Sequence, residues 1–174
     1  MKLSTELQEK GFQLYNVMKE DLQDFICIEK VSHYKYVKQH KDFFGDWNET
    51  ILREAFLNKM NMAYFEKIIW KEETVGFVGY DLMENAIDKV FIRLVPEAQN
   101  QGLGTWFLNE LKEISANTGK PVLLAVIQTN PAKLLYKKEG FQCYNKKDVF
   151  EFYKYESYRG KEYTTDDGLG IAAF

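Results

Sequence analysis

Apolar and polar positions along the chain divide it into a regular succession of short elements. Phe12 to Met18 (FQLYNVM) reads as a first strand. Glu20 to Val31 follows, with Leu22, Phe25, Ile26 and Val31 at the spacing of an amphipathic helix. Asp46, with Glu49 three residues on, resembles a capping box and opens a second helix carrying Leu52, Ala55, Phe56 and Met60. Tyr64 to Trp70 and Thr74 to Leu82 are predicted strands, and the polar Lys71-Glu72-Glu73 between them predicts a hairpin. Ile87 to Val95 is a further strand, stopped by Pro96. Gly102 to Asn117 is a helix with Leu103, Phe107, Leu111 and Ile114 on one face. The run PVLLAVI from Pro121 is apolar throughout, which predicts a strand buried on both faces and paired in parallel beneath helices. Pro131 starts a short helix that ends at Gly140. Phe141 to Tyr144 and Val149 to Tyr155 close the pattern as strands. The order is strand, two helices, three strands, helix, strand, helix, two strands. It predicts an α/β chain with a mixed sheet and helices on both faces.

Composition narrows the class. The 174 residues fit a single domain over 1–174, with a tail from about residue 157, containing GKEYTTDDGLG, expected to be irregular. Hydrophobic residues are 45% and charged residues 28%, the balance of a globular protein. The net charge of −3 gives no reason to expect a nucleic-acid partner. Cys27 and Cys143 are too few for a disulfide framework, and their spacing fits no metal motif, so no metal is expected. MKLSTELQEKGF has no apolar run of a signal peptide, and no stretch approaches a membrane span. The expected compartment is therefore the cytoplasm, with no membrane partner.

The candidate chemistry lies in two segments. In Leu94-Val95-Pro96-Glu97-Ala98-Gln99-Asn100-Gln101-Gly102-Leu103-Gly104 a strand runs through a glycine-containing turn directly into a helix. The free N–H groups of the helix's first turn, with the positive end of its dipole behind them, form an anion site suited to phosphate or pyrophosphate. No Gly-Lys-Ser/Thr follows, so this is not a P-loop. The third glycine and later acid of the dinucleotide fingerprint are missing as well. The second segment, NPAKLLYKKEGF from Asn130, places Tyr136 one turn from the end of a short helix closed by Gly-Phe.

Together these residues carry a resemblance. Gln99-x-x-Gly102-x-Gly104 is similar to the acyl-CoA signature of the GNAT superfamily of N-acetyltransferases, and NPAKLLYKKEGF resembles its second hallmark segment. The resemblance covers roughly Lys67 to Tyr155, and a looser one to a bacterial branch covers Tyr34 to Met60. It implies a GNAT-like fold, with a mostly antiparallel sheet of six to seven strands splayed at the CoA site. It implies acetyl-CoA as donor, CoA as product and an amine as acceptor. The main chain of Ile92, Arg93 and Leu94 would pair with the pantetheine amides. Gln99, Asn100, Gln101, Gly102, Leu103, Gly104 and Thr105 would hold the pyrophosphate, and Asn130 would contact the CoA arm. Tyr136 would protonate the departing thiolate. A tyrosine of pKa about 10 can do this for a thiol of pKa about 8.5. Asn130 stands six residues before Tyr136, where the commoner family spacing is seven and Thr129 holds the usual asparagine position.

No general base is evident. Where many relatives carry a glutamate, this chain has Arg93 and the apolar run Leu123 to Val126. Glu97, Asp88 and Glu66 are the available carboxylates, Glu97 first among them, and a water relay is the alternative. Tyr36 and Trp47 are the candidates for the acceptor pocket. His33-Tyr34-Lys35-Tyr36 is assigned to the segment between the first two helices, either bordering the acceptor or as a solvent-facing turn. Arg93 faces away from Ile92 and Leu94. It would bind an acceptor carboxylate or form an ion pair with a neighbouring strand. The expected function is acetyl transfer to a small-molecule primary amine by direct attack. A protein lysine or N-terminal acetyltransferase and a non-catalytic acyl-CoA-binding regulator are the alternatives. Similar proteins often pair through their closing strands, so a homodimer is expected.

Overall fold

The computed structural model describes residues 1–157. Apart from its first residue, the expected irregular tail lies outside the described residues. The chain opens with α1 (Thr5–Glu9), capped by the Ser4 side chain, and β1 (Gln13–Asn16). A single 3-10 turn leads into α2 (Leu22–Gln39), then α3 (Lys41–Phe44) and α4 (Glu49–Lys59). The hairpin β2 (Tyr64–Trp70) and β3 (Glu73–Leu82) is followed by β4 (Ile87–Leu94), α5 (Leu103–Thr118), β5 (Val122–Ile127), α6 (Ala132–Lys138), β6 (Gln142–Lys147) and β7 (Phe150–Tyr155).

Several boundaries differ from expectation for physical reasons. α2 runs eight residues past Val31, because Tyr36 and Val37 continue its buried face. His33 to Tyr36 are therefore helical and form no turn. The cap of α4 is Asn48, which accepts from the Thr50 N–H at 2.9 Å. Asp46 instead pairs with Lys41 at 2.7 Å, so the expected capping box does not form. α1 and α3, five and four residues long, were not anticipated. Helices this short have too few turns to show a period.

The seven strands form one sheet in the order β1-β2-β3-β4-β5-β7-β6. Every pairing is antiparallel except that of β4 with β5. That pairing holds only one registered pair, Ile87↔Val122, supported by the Ile87 N–H donating to the Pro121 carbonyl at 2.8 Å. Beyond it the two parallel strands part, so the sheet is splayed towards the C-terminal ends of β4 and β5. Parallel pairing of β5 is thus confined to its first residue, and its other edge runs antiparallel to β7. Nor is β5 buried throughout, because Ala125 is exposed.

Helices cover both faces. α1, α5 and α6 pack one face over Phe12, Ile68, Ile87, Phe107, Leu111 and Tyr153. On the other face, α2 and α4 enclose Phe25, Ile28, Phe56, Phe77 and Phe91. β4 serves both. Lys89 takes a left-handed φ of 52°, opposite an irregularity in β3 between Gly79 and Asp81. This bulge shifts the alternation of side chains. Ile87 therefore shares a face with Val90, Ile92 and Leu94, while Phe91 and Arg93 point towards α2. No helix among the described residues is long and apolar enough to cross a membrane.

Candidate active site

At the open end of the splay β4 stops at Leu94, and Pro96–Ala98 forms a 3-10 turn. The Gln99 side chain donates Nε2–H to the Leu94 carbonyl at 3.0 Å, clipping the loop to the end of the strand. Asn100 and Gly102 both adopt left-handed φ, 59° and 98°. α5 then begins, and Trp106 is the first residue whose N–H turns inward, donating to the Gly102 carbonyl at 2.9 Å. The six N–H groups of Asn100, Gln101, Gly102, Leu103, Gly104 and Thr105 have no hydrogen-bond acceptor among the described residues. A run of unpaired amides at a helix N-terminus is an anion cradle. Gly104 has a different use from Gly102. A Cβ there would lie 2.7 Å from Leu135 Cδ2, so its missing side chain lets α5 approach α6.

Ile92, Arg93 and Leu94 pair with Val78, Phe77 and Gly76 of β3 on one edge. Their other edge faces the gap, since β5 registers with β4 only at Ile87. Across that gap, Asn130 follows β5. Its Oδ1 accepts from the N–H of Ala132, the first residue of α6, at 2.9 Å. Tyr136 on α6 packs its ring against Phe141 and Tyr153, with centroids 6.3 and 5.8 Å away. Its hydroxyl has no hydrogen-bond partner among the described residues. Burial pushes the phenol above its ordinary pKa, and the nearby Arg93 guanidinium pulls it back. The hydroxyl therefore keeps its proton at neutral pH and can donate it.

The expected bases lie apart from one another. Glu97 is exposed on the 3-10 turn. Asp88 follows the Ile87↔Val122 pair at the closed end of the splay, where burial raises its carboxyl. Glu66, on β2, accepts the Tyr64 hydroxyl. Arg93 does form an ion pair, but with a helix and not with a neighbouring strand: its Nε donates to Glu29 Oε2 on α2 at 3.0 Å, and Nη1 to the Ile92 carbonyl at 3.2 Å. Glu29 is 1% exposed. His33 lies one turn further along α2. Burial, with Arg93 and Lys59 nearby, holds it well below the usual imidazole range.

Tyr36 and Trp47 come together in one cluster with Val37, Phe44, Ile127, Val149, Phe150 and Phe152. Trp47 stands edge-on to Tyr34, with ring centroids 5.1 Å apart. Its Nε1–H is buried without a partner. The cluster packs the end of α2 and the segment after it against the ends of β5 and β7. Glu29 is the residue that sequence reasoning missed. Its signal was present: an acid four residues after Phe25 and seven before Tyr36, on the stripe that α2 buries. A strand arginine in need of a buried partner was the matching half.

Residues 62–143 match the family model described as an acetyltransferase (GNAT) domain. No curated protein sequence matches the chain. Solved structures that resemble it include the PaiA N-acetyltransferase of Thermoplasma acidophilum in complex with coenzyme A. That likeness has 18% identity and a TM-score of 0.65, covering 84% of this chain and 99% of that one. An acetyltransferase of Thermus thermophilus is 17% identical with a TM-score of 0.60, covering 84% and 97%. The ribosomal-protein-S18-alanine N-acetyltransferase of Escherichia coli is 18% identical with a TM-score of 0.57, covering 82% and 90%. At such identities the structures speak for the fold. The family model spans the strands and the amide cradle between β2 and β6, so this part of the chain is that of a GNAT acetyltransferase domain.

Proposed function

We propose that the protein is an acetyl-CoA-dependent N-acetyltransferase that acetylates the primary amine of a small molecule by direct attack. The carrying observation is the run of six unpaired amides, Asn100 to Thr105, beside two strands that part. The amides suit a pyrophosphate, and the open edge of Ile92 to Leu94 suits an extended arm bearing amides. The structural neighbour from Thermoplasma acidophilum, solved with coenzyme A, supports the same fit. On this reading Asn130 shapes the turn that meets the arm, and Tyr136 donates its phenolic proton to the leaving thiolate.

Direct attack is favoured over an acyl-enzyme because Cys27 and Cys143 are exposed thiols, one on the outer surface of α2 and one on the edge strand β6. A small acceptor is favoured over a polypeptide by the aromatic cluster of Tyr36, Trp47 and Phe44, which packs the end of α2 and the segment after it against β5 and β7. Calorimetry with acetyl-CoA, followed by a panel of amines scored for free-thiol release, tests the assignment. Absence of acetyl-CoA binding would overturn it. Tyr136→Phe should retain acetyl-CoA affinity and lower turnover by about tenfold or more. An unchanged rate would remove the acid role from Tyr136.

A further inference from the structure

Among the described residues, one buried carboxylate oxygen is left without a hydrogen-bond partner. Glu29 is 1% exposed, and its Oε2 is engaged by Arg93 Nε at 3.0 Å. Its Oε1 is enclosed and accepts no hydrogen bond. A buried acceptor left so costs on the order of 1–3 kcal/mol, and more when charged. The cost is understandable where a ligand completes the site.

The position of Glu29 says which ligand. Glu29, His33 and Tyr36 lie four and three residues apart, on one stripe of α2. The stripe is tied to β4 at one end, where Glu29 holds Arg93. At the other end it is tied to β5 and β7, where Tyr36 packs in a cluster with Ile127, Phe150 and Phe152. α2 therefore crosses the place where β4 and β5 have parted. β5 leaves Ala125 exposed along the same stretch, in a strand whose neighbours Leu124 and Val126 are buried. Arg93, which carries Glu29, also acts electrostatically on Tyr136. Arg93 thus links the unpartnered oxygen to the unpartnered tyrosine hydroxyl.

Among the described residues, Lys59 of α4 interacts electrostatically with Glu29 and with Arg93 and Lys89 of β4, and His33 of α2 with Arg93 and Lys59. Lys89 is paired with Asp81 at 3.0 Å. Lys59 lies over the Phe91 ring, 4.5 Å from its centroid. Arg93 is already engaged by Glu29 and by the Ile92 carbonyl, so it is not set to receive a carboxylate from an acceptor.

We propose that Glu29 Oε1 binds the ammonium of the acceptor and takes up its proton, which selects primary amines that carry no carboxylate on the amine-bearing carbon. Such a carboxylate would stand against that of Glu29. The inference rests on the acetyltransferase assignment above. The acceptor ammonium passes one proton to Oε1, and its lone pair forms the C–N bond at the acetyl carbonyl carbon. The C–S bond breaks, and the thiolate takes the phenolic proton of Tyr136. The second proton lost by nitrogen restores Tyr136 through solvent, and Glu29 releases its own to solvent. Ammonium and thioester thus become amide, thiol and one proton.

The test is steady-state kinetics on the full chain, with paired amines such as butylamine and norvaline in a broad panel, together with calorimetry of acetyl-CoA. Glu29→Gln should lower kcat/KM for amines by about a hundredfold or more while the acetyl-CoA affinity stays within about twofold. Because that change leaves Arg93 facing a neutral amide, Glu29→Asp is made in parallel. It keeps the charge and the pair but withdraws the oxygen by one methylene, and it should cost at least about tenfold. The α-carboxylated member of each pair should be the poorer acceptor. Wild-type rates in either folded variant would overturn the proposal, as would a parallel fall in acetyl-CoA affinity or a preference for the amino acids. If the wild-type protein binds no acetyl-CoA, or turns over no amine in the panel, it is the acetyltransferase assignment that fails.

Discussion

His33 shows how a single side chain on α2 couples the site to pH. Burial and the positive charges of Arg93 and Lys59 hold its folded-state pKa well below 6.5. In the unfolded chain the same imidazole titrates near 6.5. As pH falls below that value the unfolded state gains a proton that the folded state does not take, so stability must fall. The loss continues down to the folded pKa, with a slope of up to about 1.4 kcal/mol per pH unit. Above pH 6.5 neither state is protonated and the contribution vanishes. Urea unfolding at pH 7.5 and at pH 5.0 measures it. Wild type should lose stability between the two, and His33→Gln should lose less by about the amount the slope implies. Equal losses would mean that His33 titrates freely when folded. The residue was visible in the sequence, but its environment was not. Its neutral state depends on Arg93 and Lys59, sixty and twenty-six positions away by number, which only the tertiary fold brings near.

The loop and first turn of α5 decide whether an anion is held. Gly102 sits at φ 98°, with nothing closer than Leu7 Cδ2 at 4.0 Å where a Cβ would stand. An added methyl group therefore meets space, and its cost is conformational, about 1–2 kcal/mol for an L-residue kept left-handed. Gly102→Ala should lower stability by that amount. Where the loop relaxes instead, the six N–H groups turn out of register, and acetyl-CoA affinity should fall by about tenfold or more. Calorimetry and thermal melts on one preparation separate the two effects. Asn100→Gly, at φ 59°, should leave both nearly unchanged, because glycine accepts that backbone freely. This element was the most legible in the sequence, since strand, glycine turn and amphipathic helix are local patterns. The same locality explains what was misread. Asp46 and Glu49 had the spacing of a capping box, yet Asn48 won the cap because Asp46 was drawn to Lys41. Gly104, whose N–H stays in the cradle, also leaves room by its missing side chain for Leu135 of α6, thirty-one residues on.

In the whole molecule, two antiparallel halves of the sheet, β1 to β4 and β5 to β7, are joined by one registered pair. The pattern of elements predicted a mixed sheet with helices on both faces, but it could not predict that the parallel contact would shrink to a single pair. An apolar run such as PVLLAVI reads alike whether its neighbour follows it for six residues or for one. The exposed Ala125 is the trace of that difference. Ile87 and Val122 are both fully buried at the junction, above the core that α5 supplies to both halves. Ile87→Ala keeps the backbone hydrogen bond to Pro121 but removes the side chain that fills the joint. It should cost about 3 kcal/mol by the usual balance of lost burial and residual cavity. Ile68→Ala, equally buried but wholly within the first half, is the control and should cost about the same. The two should differ in native-state hydrogen exchange. Loosening the joint should let the β5–β7–β6 amides open at a lower free energy than those of β2 and β3, whereas Ile68→Ala should lower protection in β2 and β3 first. If both variants lose protection evenly across all strands, the splay is no mechanical division of the sheet. The helices beneath it would then carry the coupling between the two walls of the cofactor cleft.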